Sequence, residues 1–353
     1  MKKRPMIISA TTFVIVLLTI STCAGTGYIT QAISGHLRLM RARVPFEKAL
    51  KDPKLDSIAR QRLLLVQQIR KFATTGLGLP DNKSYTVYAE IETDELGWNV
   101  YCAPRFSTEP KKWHFPIAGS TVYRGYFSKK MAIKYAEKME KKGYDVYLLP
   151  ITAYSTLGFF NDPILNTHLK MDTIHLAGMI IHELAHQRYY NKKDSRFSES
   201  FAVAVERAGV IRWLTSINRP DQIAKAHKMW TRQDTINSLY LAARNKLTTL
   251  YTTTPAPITP QDSAALLQQK DNILNQLSQQ IKEVNQTYTD ISIQTTRPTQ
   301  TTQSIPTKYR QFNNARLIPI STYYSLVPTF LKLLDSLDGN FEQFYKKVEK
   351  RIE

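Results

Sequence analysis

His182-Glu183-Leu184-Ala185-His186-Gln187, followed by Ser198-Glu199-Ser200-Phe201-Ala202, is the stretch on which the reading of this chain turns. On an α-helix, His182 and His186 stand four residues apart on one face, so both imidazoles can reach a single ion. Glu183 follows His182 directly, which sets its carboxylate beside that ion and leaves it free to act as a base. A second helix carrying Glu199 offers a third ligand and leaves one position open for water. Three protein ligands and an open position is the arrangement of catalytic rather than structural zinc. The pattern predicts a Zn2+ hydrolase of peptidase type. Around it, Ile174, Ala177, Gly178, Ile181, Leu184 and Ala185 recur at helical spacing, as a buried helix requires. A pair of core-capping histidines beside a solvated glutamate is the non-catalytic alternative.

Glu199 and Glu206 lie on one helix face, separated by two turns or about 10 Å, so only one can join the ion. Ser198-Glu199-Ser200-Phe201-Ala202 resembles the Asn-Glu-Gly-Phe-Ala ligand segment of two-helix zinc peptidases of the thermolysin and alanyl-aminopeptidase kind. Their longer interval between second histidine and ligand fits Glu206 instead. Local sequence favours Glu199, since a connecting loop shortens at little cost, and Asn191-Lys192-Lys193-Asp194-Ser195 reads as such a polar turn. Glu206 is then an acceptor for a ligand histidine or a solvated carboxylate.

The net charge is +19 over 353 residues. Its lysines are scattered, and no zinc-finger, RNA-recognition or basic-zipper pattern occurs, which argues against specific nucleic-acid binding. Solubility together with attraction to anionic lipid or envelope polymers is the simpler reading. Met1-Lys2-Lys3-Arg4 opens the chain, and the apolar run Phe13-Val14-Ile15-Val16-Leu17-Leu18 follows, a signal-peptide shape. Ile20-Ser21-Thr22-Cys23 resembles a bacterial lipoprotein cleavage box, in which Cys23 becomes the lipidated first residue. An uncleaved anchor of ~17 apolar residues is the alternative. Either form predicts a membrane-anchored protein of the bacterial cell envelope that faces the periplasm. With Cys23 and Cys102 the only cysteines, no disulfide framework is available, and Cys102 reads as a small buried residue.

Three parts are expected: residues 1–22 as leader or anchor, 23–160 as an N-terminal α/β part that includes the sheet, and 161–353 as a helical part with the zinc site. Within them, residues 26–50 suggest a helical stalk ending near Pro45, and Pro53–Leu77 an amphipathic helix. Strands are predicted within Tyr85–Phe106, Ser120–Phe127 and Tyr144–Tyr154, with a basic helix over Lys129–Lys142 closed by Gly143. Val146–Ser155 is the candidate edge strand for an extended substrate, an interior strand being the alternative. His168 and His175 read as packed or capping histidines, and 294–307 as a polar loop. The fold class expected is α+β, a zincin-like metallopeptidase with a small mixed sheet followed by a mostly helical C-terminal part.

The chain resembles a bacterial family of putative aminopeptidases, envelope lipoproteins with this metal motif. The resemblance runs through Thr22-Cys23, Gly27-Tyr28, Val122-Tyr123-Arg124-Gly125-Tyr126-Phe127, Tyr154-Ser155-Thr156-Leu157-Gly158-Phe159-Phe160-Asn161-Asp162-Pro163, the two metal segments and Asn313-Asn314-Ala315-Arg316-Leu317. It implies zinc, a gluzincin-like catalytic domain and peptide substrates. Alanyl-type aminopeptidases read the substrate amine with a Gly-x-Met-Glu-Asn segment, which this chain lacks; Asp162 is the nearby acidic candidate, and also a natural turn residue before Pro163. The alternatives are a zinc endopeptidase of envelope proteins and a non-catalytic zinc-stabilised envelope protein, whose closed site would need a fourth protein ligand. For the oxyanion, tyrosine commonly serves in such enzymes. Tyr323 is the candidate, with Tyr189 a second.

Overall fold

From Thr26 the chain runs through α1 (Thr26–Arg41), β1 (Arg43–Pro45), α2 (Phe46–Lys51) and α3 (Ser57–Leu77), then β2 (Val87–Ala89) and β3 (Gly97–Pro104). A hairpin of β4 (Trp113–Phe115) and β5 (Gly119–Thr121) precedes β6 (Tyr123–Tyr126), α4 (Lys129–Glu140), β7 (Tyr144–Ile151) and β8 (Ile164–Leu165). Helices then dominate: α5 (Asn166–Leu169), α6 (Thr173–Arg188), α7 (Ser195–Ser216), α8 (Pro220–Thr253) and α9 (Pro260–Thr287). After two short turns come α10 (Ile318–Tyr323), α11 (Val327–Asp335) and α12 (Phe341–Lys350). This computed structural model describes residues 26–115, 119–151, 153, 155–156, 160–191, 193–254, 259–288, 305–324 and 326–350. The leader over 1–22, Cys23 and nearly all of the polar loop over 294–307 lie outside the described residues. The fold is α+β, its strands divided among small sheets of two or three.

The sheet that matters for the site has the order β6-β3-β7, antiparallel throughout. Trp98, Val100 and Cys102 of β3 pack on Ala132, Ala136 and Met139 of α4. Tyr101 and Ala103 face the other way, against Ala315 and Ile318. With both faces covered, β3 is buried almost end to end. Cys102 is buried as expected, and burial raises its thiol to about 12, so it is inert at neutral pH. β7 stands at an edge of this sheet, in line with the sequence reading, but its rim is engaged: Asn313 Nδ2 donates to Val146 O at 2.9 Å. The opposite edge is β6.

Asp56 ends the turn before α3 by accepting from Ala59 N (2.8 Å), so the helix starts at Ser57 rather than near Pro53. Gly78, at φ +65, closes it in the left-handed conformation that only glycine adopts freely. The buried stripe Leu63, Val66, Ile69, Ala73 and Leu77 enters the largest core, shared with α6, α7, α11 and α12. Ile58 falls off this stripe and is exposed.

The Asn313-Asn314 segment joins the sheet to the long helices. Asn314, fully buried, donates from Nδ2 to Arg105 O (2.9 Å) and Pro104 O (3.2 Å) and accepts from Tyr251 Oη (3.0 Å). Its backbone N–H and the buried Lys270 ammonium both reach Asp145 Oδ2, at 2.9 and 2.6 Å. Asn314→Ala would remove the acceptor of Tyr251 Oη and two amide contacts, while Lys270 Nζ still reaches Arg105 O (3.0 Å) and Ser107 N still reaches Pro104 O (3.1 Å). A loss of about 1–2 kcal/mol is expected, read by urea unfolding with an unchanged slope.

Candidate metal centre

α6 begins where Asp172 caps it, accepting from His175 N (3.0 Å) and pairing with His175 Nδ1 (2.7 Å). His168 is fully buried, its Nδ1 accepting from Leu165 N (3.2 Å). Both histidines therefore have the capping roles expected of them. α6 is apolar almost all round and packs along α7, which starts after the turn at Asn191–Asp194. Asp194 caps α7 by accepting from Phe197 N (3.0 Å).

Because that turn is short, the antiparallel pair brings the second turn of α7 opposite the end of α6. Glu199 Oε2 lies 3.3 Å from His186 Nε2 and 3.4 Å from His182 Nε2, and the two Nε2 atoms are 3.2 Å apart. Two turns further along α7, Glu206 Oε2 reaches the other ring nitrogen, His182 Nδ1, at 3.0 Å. Gly178 of α6 makes room for it: a Cβ there would sit 2.9 Å from Glu206 Oε1. Glu206 thus orients a donor histidine, and Glu199 completes the donor set. The neighbours of Glu199 fix its helix. Ser198 Oγ accepts from Asn191 N (2.9 Å) and Ser200 Oγ from Leu326 N (3.2 Å). Phe201 stacks on Phe344 and meets Phe330 edge-on.

The donors fit a zinc-type cation. Bonds of about 2.0–2.1 Å in a tetrahedron place neighbouring ligand atoms about 3.3 Å apart, and the three separations of 3.2, 3.3 and 3.4 Å match that edge length. His182, His186 and Glu199 form the cluster among the described residues able to hold a metal ion. No hydrogen bond or ion pair ties the neighbouring Glu183 to a described residue.

Electrostatics bind the cluster together. Burial opposes charge on His182, but its contacts with Glu199 and Glu206 prevail and hold the imidazole well above its ordinary 6.5. Burial likewise opposes charge on Glu199, yet His186 and His182 pull it down to about 2. The raised histidine stabilises the metal-free fold below about 6.5 and loses that contribution as pH rises through its folded value. The lowered glutamate contributes above about 4.5 and is lost as pH falls toward 2. Chelated protein is therefore expected to melt highest between about pH 4.5 and 6.5, whereas the increment on adding zinc should grow with pH, since the ligand imidazoles must be neutral. Thermal unfolding in chelator and in zinc, across pH, reads both trends.

Several tyrosines converge on the site. On one sheet face Tyr123 of β6, Tyr101 of β3 and Tyr147 of β7 form a row, with centroid spacings of 5.6 and 6.3 Å. Burial, then the charges of Glu199, Tyr190 and Glu183, raise the Tyr123 phenol. Tyr190 meets the His186 ring edge-on at 5.7 Å and is raised by burial and by Glu199. Tyr85, fully buried at φ +59, feels Glu183 and Asp162. Of the expected oxyanion residues, Tyr189 packs instead on Phe197 and Phe201 in the core. Tyr323 lies in α10, its side chain outside the described residues. Asp162 is a turn residue: its Oδ1 and Oδ2 accept from Thr156 Oγ1 (2.7 Å) and Thr156 N (3.0 Å).

Fold and donor set together define an α+β protein with a candidate metal centre carried on two antiparallel helices. A family profile described as Putative aminopeptidase matches residues 27–353, and the chain belongs to that family. Membership supports a peptidase-type activity. No curated protein and no solved structure matches the chain.

Proposed function

We propose that the chain is a zinc-dependent aminopeptidase of the bacterial cell envelope, acting on peptides while tethered to a membrane by its N-terminal segment. The observation that carries the peptidase reading is the triangle of His182 Nε2, His186 Nε2 and Glu199 Oε2 with an uncommitted Glu183 beside it. When bound at those donors, zinc supplies Lewis acidity that brings an attacking water toward a pKa of ~7. Glu183 takes the proton of the attacking water and delivers it to the leaving amine. Glu206 holds the His182 ring in register. Tyr123 and Tyr190 keep their protons at neutral pH and are the candidate donors to the developing oxyanion. Tyr123 stands on β6, which makes that edge a second candidate beside β7 for an extended peptide.

The tether rests on sequence: the apolar run precedes Thr26, and among the described residues no helix is long and apolar enough to cross a membrane. Mass spectrometry of the mature N-terminus distinguishes lipidated Cys23 from an intact Met1.

An endopeptidase is the second reading, favoured by Asp162, whose two carboxylate oxygens are taken by Thr156. One peptide with a free amino terminus and its acetylated twin separate the two, each assayed with chelator and after zinc is restored. An enzyme that reads the amine should lose roughly ten- to a hundred-fold in kcat/KM on the acetylated peptide. Equal rates assign an endopeptidase. Activity indifferent to chelator removes the zinc reading altogether.

A further inference from the structure

We propose that the outer face of α4, with the β4 strand that carries Trp113, docks on an anionic phospholipid surface. The proposal deepens the tether reading and rests on it. Lys130, Lys134, Lys138 and Lys141 recur along one face of this helix and its cap, all exposed, with Lys142 beside them. Glu137 is the one acidic residue within that stripe. Glu140, at its margin, is taken by Lys308 Nζ (2.8 Å) and Tyr309 Oη (2.9 Å). None of the five lysines pairs with a carboxylate of a described residue. A solvated helix gains nothing from so many uncompensated like charges in so short a span, whereas an anionic surface is complementary to them.

Aromatic groups sit at the same margin. Trp113 Nε1 donates to Tyr135 Oη of α4 (3.0 Å), and Lys111 Nζ lies 5.7 Å from the Trp113 ring and 5.6 Å from that of Tyr144. Lys112, next to Trp113, is exposed. Lysines whose stems cover aromatic rings suit the boundary between headgroups and water.

Chain entry lies there too. A Cβ on Gly27 would touch Met131 Cε at 3.7 Å, and Tyr28 packs on Phe115 and Tyr126 at centroid distances of 6.1 and 5.2 Å. The described chain therefore starts beside the first turn of α4. Residues 19–25, which link it to the apolar run, reach no further than about 25 Å even when fully extended. A bilayer that holds the run, or a lipid on Cys23, must pass close to the lysine stripe. Once there, the stripe chooses which side of the domain faces the lipid.

The test uses the full chain reconstituted into vesicles of phosphatidylcholine alone or with phosphatidylglycerol added, with lysine acetylation read residue by residue. Phosphatidylglycerol should slow acetylation of Lys130, Lys134 and Lys138 about fivefold, and high salt should abolish the difference. Lys332 and Lys347, exposed on α11 and α12, should react alike in both. K134Q/K138Q, two solvent-facing changes, should remove the protection at Lys130. Equal rates at Lys130, Lys134 and Lys138 in the two vesicles overturn the docking face. Flotation with phosphatidylcholine vesicles reports the tether separately: a chain that stays behind there refutes the tether, while the effect of phosphatidylglycerol still decides the face.

Discussion

Glu183→Gln is expected to retain bound zinc and to lose roughly 10²- to 10⁴-fold in kcat, the usual contribution of a positioned general base. The substitution keeps the shape of the side chain and removes its capacity to accept a proton. Glu183 has no ion pair or hydrogen bond with a described residue, so the change breaks no such contact among them. Its charge acts instead on His182, Tyr85 and Tyr123, groups that surround the donor set. Metal content by elemental analysis and single-turnover hydrolysis of one peptide give the two readouts. Wild-type turnover in this variant would falsify the assignment of the base. Loss of zinc along with turnover would instead make Glu183 a ligand.

Glu199→Ala should cost more than about a hundredfold in zinc affinity, and Glu206→Ala about ten- to a hundred-fold, the range for groups that orient a ligand without touching the ion. The ranking follows from geometry. Glu199 Oε2 closes a triangle with two Nε2 atoms, whereas Glu206 Oε2 reaches the far side of one ring, at Nδ1. Competition against a chromogenic chelator measures both. If Glu206→Ala proves the costlier change, the ligand is Glu206 and the helix pair must shift its register when metal binds.

Much of the centre was legible because its parts are local. His182 and His186 follow from helical periodicity alone, and the short turn at Asn191–Asp194 already favours Glu199 over Glu206. The capping of His168 and His175 follows from ordinary histidine chemistry. Helix ends were less legible: α3 starts at Ser57 because Asp56 supplies the cap, a detail that hydrophobic pattern misses. The tyrosines around the donors were hidden for a different reason. Tyr123 and Tyr101 belong to strands far away in sequence, and no spacing rule says which sheet face meets α7. Tyr190 is close to His186 in sequence, yet it lies past the helix end at Arg188 and the extended cap at Tyr189, so helical spacing does not give their contact either. The role of Asn314 was equally out of reach, for it depends on carbonyls of Pro104 and Arg105 that only the tertiary fold brings to it.

The stacking of Phe201 on Phe344 has a consequence in time. A ribosome delivers α6 and α7, with every donor atom, well before it delivers Phe330 and Phe344. Until those rings arrive, Phe197 and Phe201 on the face of α7 opposite Glu199 meet the ring of Tyr189 alone among these aromatics, and the helix pair lacks the support of the C-terminal helices. Maturation of the centre is thereby tied to completion of the last helices. On the proposed function, an enzyme built this way would stay idle during its synthesis, and hydrolytic competence would arrive with the closing of the C-terminal aromatic cluster.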